Sequence, residues 1–124
     1  MNLAPRRIQR PPRVPGWQLP PGAVYVGRPS KWGNPFHWGA IGDLLGRCVS
    51  RREAQEIAVE MFDMWISDPW NGDGELVHEA QQYRAELPLL ADKDLVCWCP
   101  LEDEEGQRYP CHADVMLRHL GDTA

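Results

Sequence analysis

Cys97, Cys99, Cys111 and His112 are the residues of this chain best suited to chemistry. They stand as Cys-Trp-Cys-Pro, an acidic stretch, then Pro-Cys-His-Ala-Asp, so three of the four cysteines share one window. Thiolate sulfur and imidazole nitrogen are the donors zinc takes up. Cys97, Cys99, Cys111 and His112 are therefore a candidate metal set, with zinc as the candidate cofactor. The same groups could instead supply an activated thiolate. Cys111 would be the nucleophile or acid/base group, with His112 beside it and Asp114 or His112 moving the proton. The third alternative is packing, in which small buried cysteines fill a tight corner. Two features strain the zinc reading. The pair is Cys-x-Cys rather than the commoner Cys-x-x-Cys, and adjacent Cys111 and His112 are not expected to share one ion easily. His119, two turns further on, is expected to lie too far away. The zinc deaminase pairing of His-x-Glu with Pro-Cys-x-x-Cys is absent.

A second group lies in Gly27-Arg28-Pro29-Ser30-Lys31-Trp32-Gly33-Asn34-Pro35-Phe36. Glycine permits close backbone approach and the prolines fix the shape. Arg28 and Lys31 are candidates for holding phosphate or carboxylate. Trp32 or Phe36 offers a face on which a base or sugar can stack, and Asn34 can read an amide or base edge. The alternative is a structural loop whose Trp32 and Phe36 plug the core.

The elements that must position these groups are legible in outline. Ala23 to Arg28 is a β-branched and aromatic run ending at a glycine-proline turn, which predicts a buried strand. Ser50 with Glu53 has the form of a capping box, and Ala54, Ile57, Ala58, Met61, Phe62, Trp65 and Ile66 recur at helical spacing, predicting a helix over 51–66. Pro69 and Asn71-Gly72-Asp73-Gly74 predict a turn. A second helix is predicted over 75–87, with Leu76, Ala80 and Tyr83 on one face. Asp94 to Cys99 predicts a central strand, whose alternation puts Cys97 and Cys99 on one face and Trp98 on the other. The last helix opens at Pro110-Cys111, where free N–H groups favour a thiolate, and ends at Gly121. There, Asp114 is expected to cap the backbone or hold His112. Cys48, His37 and His78 stand apart and are expected to have no role. The order strand, helix, helix, strand, helix predicts a small α/β sandwich with a short, mainly parallel sheet and about three helices.

Residues 1–22 hold Pro11-Pro12, Pro15 and Pro20-Pro21, and read as a proline- and arginine-rich arm or wrapping strand anchored by Trp17 and Leu19. Residues 23–121 read as one α/β domain. Up to Lys31 there are six cations and no acid; the rest of the chain carries seven cations and all 18 acids, within a net charge of -5. A basic arm on an acidic body suits phosphate, though it equally suits packing back on the acidic surface. The clustered cysteines argue against a disulfide scaffold. No apolar run reaches membrane-spanning length, and the basic start has no apolar signal core, so the expectation is a cytoplasmic protein with no membrane partner.

Two stretches together carry a resemblance: Val24 to Phe36, with its Lys31-Trp32-Gly33-Asn34-Pro35-Phe36, and Lys93 to Val115, with Cys97-Trp98-Cys99 and Cys111-His112-Ala113-Asp114. On these motifs the chain resembles domain of unknown function family 4326, a small family of bacteria and phages, over about residues 7–120. It differs mainly in a longer acidic insert, Glu102 to Arg108. The resemblance implies that the motifs matter but supplies no reaction. The phage setting implies, by association, nucleotide or nucleic-acid metabolism, including nucleic-acid modification, in the host cytoplasm where the chain is phage-encoded. The resulting expectation is an enzyme acting on a nucleotide, nucleobase or related phosphorylated or ribosylated small molecule. Arg28 and Lys31 would hold its anionic part, Trp32 and Asn34 its ring, and Cys111, His112 and Asp114 would do the chemistry. Two alternatives are a nucleic-acid- or nucleotide-binding module with a structural Cys/His corner, and a phage protein that inhibits a host factor.

Overall fold

Leu95, Val96 and Cys97 form a continuous apolar run, and burying such a run on both faces calls for strands on either side. The computed structural model describes residues 5–11, 14–67 and 74–122 and puts this run at the centre of a three-stranded parallel sheet. β1 (Arg7–Gln9) and β2 (Ala23–Tyr25) flank β3 (Asp94–Cys97). Ile8 lies opposite Val96 on one side, and Val24 opposite Leu95 on the other. Two further bonds reach toward the end of β3: Arg10 N–H donates to the Cys97 carbonyl and Val26 N–H to that of Val96, each at 2.8 Å.

Four helices complete the α/β fold: α1 (Ile41–Leu45), α2 (Arg51–Ser67), α3 (Glu75–Glu86) and α4 (His112–Asp122). The Ser50 hydroxyl caps α2 by accepting the Glu53 N–H at 3.1 Å, and the Glu53 carboxylate pairs with Arg47 at 3.0 Å. α4 lies on β1 and β3, and α2 lies against both α3 and α4. The core they enclose holds Phe62 and Ile66 from α2, Tyr83 from α3, Leu95 from β3 and Met116 from α4. Phe62 is fully buried, which contributes about 1.5–3 kcal/mol.

The structure departs from the sequence expectation at several elements. Part of the expected N-terminal arm is β1, an edge strand of the sheet; with one apolar residue in Arg7–Gln9, it carries no periodic signal. α1 spans five residues, too few to show a helical period. β2 stops at Tyr25, because the chain turns at Gly27, whose carbonyl accepts the Ser30 N–H at 2.9 Å. Leu19 and Leu76 are exposed rather than packed. Trp17 is held instead by the Arg10 guanidinium, 5.6 Å from its ring. The turn expected at Pro69 and Asn71 to Asp73 lies outside the described residues, as do Pro12 and Arg13. Among the described residues no helix is long and apolar enough to cross a membrane.

Candidate functional site

The end of β3 and the start of α4 bring the sulfurs and the imidazole together. Cys97 is the last residue of β3 and His112 the first of α4. Cys97 Sγ and Cys99 Sγ are 3.7 Å apart, although β3 ends at Cys97 and Cys99 lies in the bend that follows rather than on the strand face expected. Cys111 Sγ lies 3.8 Å from His112 Nδ1. Donor atoms of Cys97, Cys111 and His112 all lie within 4.8 Å of one another, and all three residues are buried. Adjacency therefore does not keep Cys111 and His112 apart. Cys99 adjoins this trio through Cys97, and it also accepts from Gln55 Nε2 at 3.6 Å. His119 lies elsewhere, bonded to Arg84 and Asp63, as its position in the helix predicted.

His112 Nε2 is 2.8 Å from the Val26 carbonyl. A carbonyl only accepts, so Nε2 carries the ring hydrogen and Nδ1 keeps its lone pair facing Cys111. Burial holds the imidazole below its ordinary pKa, against the opposing pull of Cys97 and the Val26 and Trp32 carbonyls. The three thiols cannot all ionise in so small a volume. Hydrogen bonds from Cys111 and then Cys99 pull Cys97 well down, and the same bonds, with burial, push Cys111 up. Cys99 is lowered by Cys111 but raised more by Cys97 and burial together. One thiolate, on Cys97, is the charge state this geometry favours.

Beside this cluster opens a cleft of about 200 Å³. Its lining includes Cys97, Cys99 and His112, the rings of Phe36, Trp38 and Trp98, and the side chains of Arg28, Arg51 and Gln55. Cys111 is not at this surface; it is 1 % exposed. The thiol facing the cleft is therefore Cys97 or Cys99 rather than Cys111. Asp114 neither touches the cleft lining nor appears as a partner of His112; its carboxylate pairs with Arg7 and Arg108, each at 2.8 Å. The expected hold on His112 comes instead from Val26.

The Lys31-Trp32 loop divides between two sides. Arg28 and Asn34 reach the cleft. Arg28 Nη2 donates to the Asn34 carbonyl at 2.5 Å. Both ends of the Asn34 amide are engaged: Nδ2 donates to the Ala58 carbonyl at 3.1 Å, and Oδ1 accepts the Phe36 N–H at 2.9 Å. Lys31 points away, paired with Glu86 at 3.0 Å and lying over the Trp32 ring. Trp32 is buried, edge-on to Tyr83 with centroids 5.2 Å apart, so it plugs the core.

Sequence reasoning missed Trp38, Arg51 and Gln55, and set His37 aside although it lines the cleft. Gln55 had a readable signal. It lies three residues before Ala58 and seven before Phe62, on the buried stripe of α2, where a polar side chain needs a partner. Its Nε2 donates to the Pro110 carbonyl at 3.1 Å, which fixes the amide's orientation. Trp38 and Arg51 gave none, because the stacking of Arg51 on Trp38 at 4.8 Å depends on the turn into α2.

No curated protein and no solved structure matches this chain. The two motifs that meet at the cleft both lie within residues 10–122, which match the model of the family described as domain of unknown function (DUF4326), and to that family the chain belongs.

Proposed function

We propose that this chain is an enzyme acting on a nucleotide, nucleobase or related phosphorylated or ribosylated small molecule. The observation carrying the reading is the composition of one cleft: two arginines, four aromatic residues (Phe36, Trp38, Trp98 and Tyr109) and a sulfur–imidazole cluster line a shared volume. Arg28 and Arg51 suit a phosphate, and Trp38 suits a flat ring. Gln55, with Nε2 committed to Pro110, offers Oε1 as an acceptor for an N–H of the ligand.

The donor set fits zinc. Two sulfurs on a tetrahedral ion at about 2.3 Å stand roughly 3.8 Å apart, and the donor atoms of Cys97, Cys111 and His112 lie within 4.8 Å of one another. A histidine ligand commonly donates its second ring N–H to a carbonyl, as His112 does to Val26. Cys97, Cys111 and His112 Nδ1 would hold the ion, with Cys99 adjoining. When bound, zinc would supply a Lewis acid and lower the pKa of a water molecule. The chain's own residues orient the ligand: the arginines neutralise its charge, and the rings exclude water. A second reading rests on the same geometry without metal, in which Cys97 is a thiolate nucleophile backed by Cys111 and Cys99.

Anaerobic purification followed by metal analysis and a screen of nucleosides and nucleoside phosphates tests both readings. The expected result is about one zinc per chain, lost in Cys97→Ser and Cys111→Ser, together with ligand-induced quenching of tryptophan fluorescence that weakens in Arg51→Ala. Metal-free protein whose turnover depends on Cys97 supports the thiolate reading. No ligand response from any member of the screen, with or without metal, removes the enzyme proposal.

A further inference from the structure

Arg7 is a cation whose side chain is completely enclosed, beneath the segment that joins Cys99 to Cys111. Its Nη2 donates to the carbonyls of Pro100 at 2.8 Å and Leu101 at 3.2 Å. Its Nη1 donates to the Tyr109 carbonyl at 2.9 Å and to Asp114 Oδ2 at 2.8 Å. One planar group thus binds the two residues after Cys99, the residue two before Cys111, and the first turn of α4. Neighbours on the same segment add to this hold. Gln9 Oε1 accepts the Leu101 N–H at 3.3 Å, and Arg10 N–H donates to the Cys97 carbonyl at 2.8 Å. Arg7 Nε is buried without a partner, the one such side-chain nitrogen or oxygen among the described residues. The guanidinium is therefore seated by its two outer nitrogens, both spent on this one segment and the helix it leads into. The family match begins at residue 10, so Arg7 lies outside it.

We propose that Arg7 is the positioning residue of the sulfur–imidazole site. It sets the separation of Cys97 and Cys99 from Cys111 and His112 by clamping both ends of the intervening loop. Without it, the two ends of the loop are joined to each other by the Tyr109 N–H to Leu101 carbonyl bond at 3.1 Å and the Glu102–Arg108 bridge, and among the described residues Gln9 is the one side chain of β1 that still bonds either end. A lysine cannot replace it, because a point charge does not span three carbonyls and a carboxylate as a planar fork does.

The test uses the full chain carrying Cys48→Ser, which removes the exposed thiol. Two readouts are taken. The first, which rests on the metal reading above, is cobalt(II) affinity followed by thiolate-to-cobalt charge-transfer absorption. Arg7→Lys is expected to weaken it about 10–100-fold, and Arg6→Ala, on the exposed side of the same strand start, to leave it unchanged. The second is independent of metal: the rate at which Ellman's reagent modifies the thiols of metal-free protein, expected to rise about tenfold or more in Arg7→Lys. Unchanged affinity with unchanged rates overturns the proposal. Should the parent chain take up no cobalt, the metal reading falls and the thiol rates alone decide. Should Arg7→Lys fail to fold, Asp114→Asn decides by the same readouts: a shift in the same direction supports the clamp, and no shift in either overturns it.

Discussion

Trp32 and Trp38 stand six residues apart and do different work. The Trp32 ring is 7 % exposed and packed on Tyr83, whereas Trp38 is 37 % exposed and lines the cleft. Trp32→Ala is expected to cost about 3–5 kcal/mol, read from the midpoint of urea unfolding. Trp38→Ala is expected to move stability by no more than about 0.5 kcal/mol while reducing ligand-induced fluorescence quenching. The reverse pattern would mean that the loop, not the cleft, is where ligands stack. Nothing in residue type separates these tryptophans. Both lie in the connection between β2 and α1, and only the three-dimensional path decides which enters the core. The sulfur cluster was far more legible, because the strand that carries Cys97 and the helix that starts at His112 have local signals; the bend that carries Cys99 beyond the strand did not. That Cys111 stays off the cleft was not legible, since depth depends on how α4 packs onto the sheet.

α2 and α4 are tied at their far ends by Asp63, which accepts from Arg118 at 2.5 Å and lies 3.2 Å from His119 Nε2. Burial pushes the Asp63 carboxyl up, but the bonds from Arg118, His119 and Ser67 outweigh it and hold the group below its ordinary value. A lowered folded-state pKa means that the unfolded chain takes up protons first on acidification. The pair's contribution is therefore complete above about pH 3.9, the unfolded value, and is lost as pH falls through the lower folded value. Asp63→Asn is expected to flatten this acid limb and to cost about 0.5–1 kcal/mol at neutral pH, since Arg118 is half exposed. Thermal melts between pH 3 and 7 measure both effects. Ser50→Ala should lower stability by about 1 kcal/mol through loss of the cap on α2. The bounds of α2 and the start of β3 were readable because each carries a strong period or a continuous apolar run, whereas the apolar run continuing past Cys97 hid the end of β3. β1 and α1 were not, being shorter than the window over which a period can show.

Across the whole molecule, the charge asymmetry is largely absorbed. Arg6 accompanies Asp94, Arg7 is enclosed with Asp114, and Arg10 lies over the Trp98 ring at 4.6 Å. The N-terminal cations that are described serve mainly to seat the first strand, which weakens the case for a free basic arm gripping nucleic acid. A chain beginning at residue 10 keeps the full family match but loses β1 and the Arg7–Asp114 pair. Losing an outer strand together with its enclosed anchor removes a large share of the 5–15 kcal/mol or so typical of a domain. The truncated chain is expected to lose its cooperative thermal transition by circular dichroism. Both outer strands pair with β3 and not with each other, so the sheet has no partner for either until the chain has grown past Cys97. On the ribosome, the residues that precede β3 must wait with their strand edges unsatisfied. Closure of the sheet at Cys97 and assembly of the cysteine–histidine cluster at His112 then follow in close succession, so that a product terminated before Asp94 would carry neither.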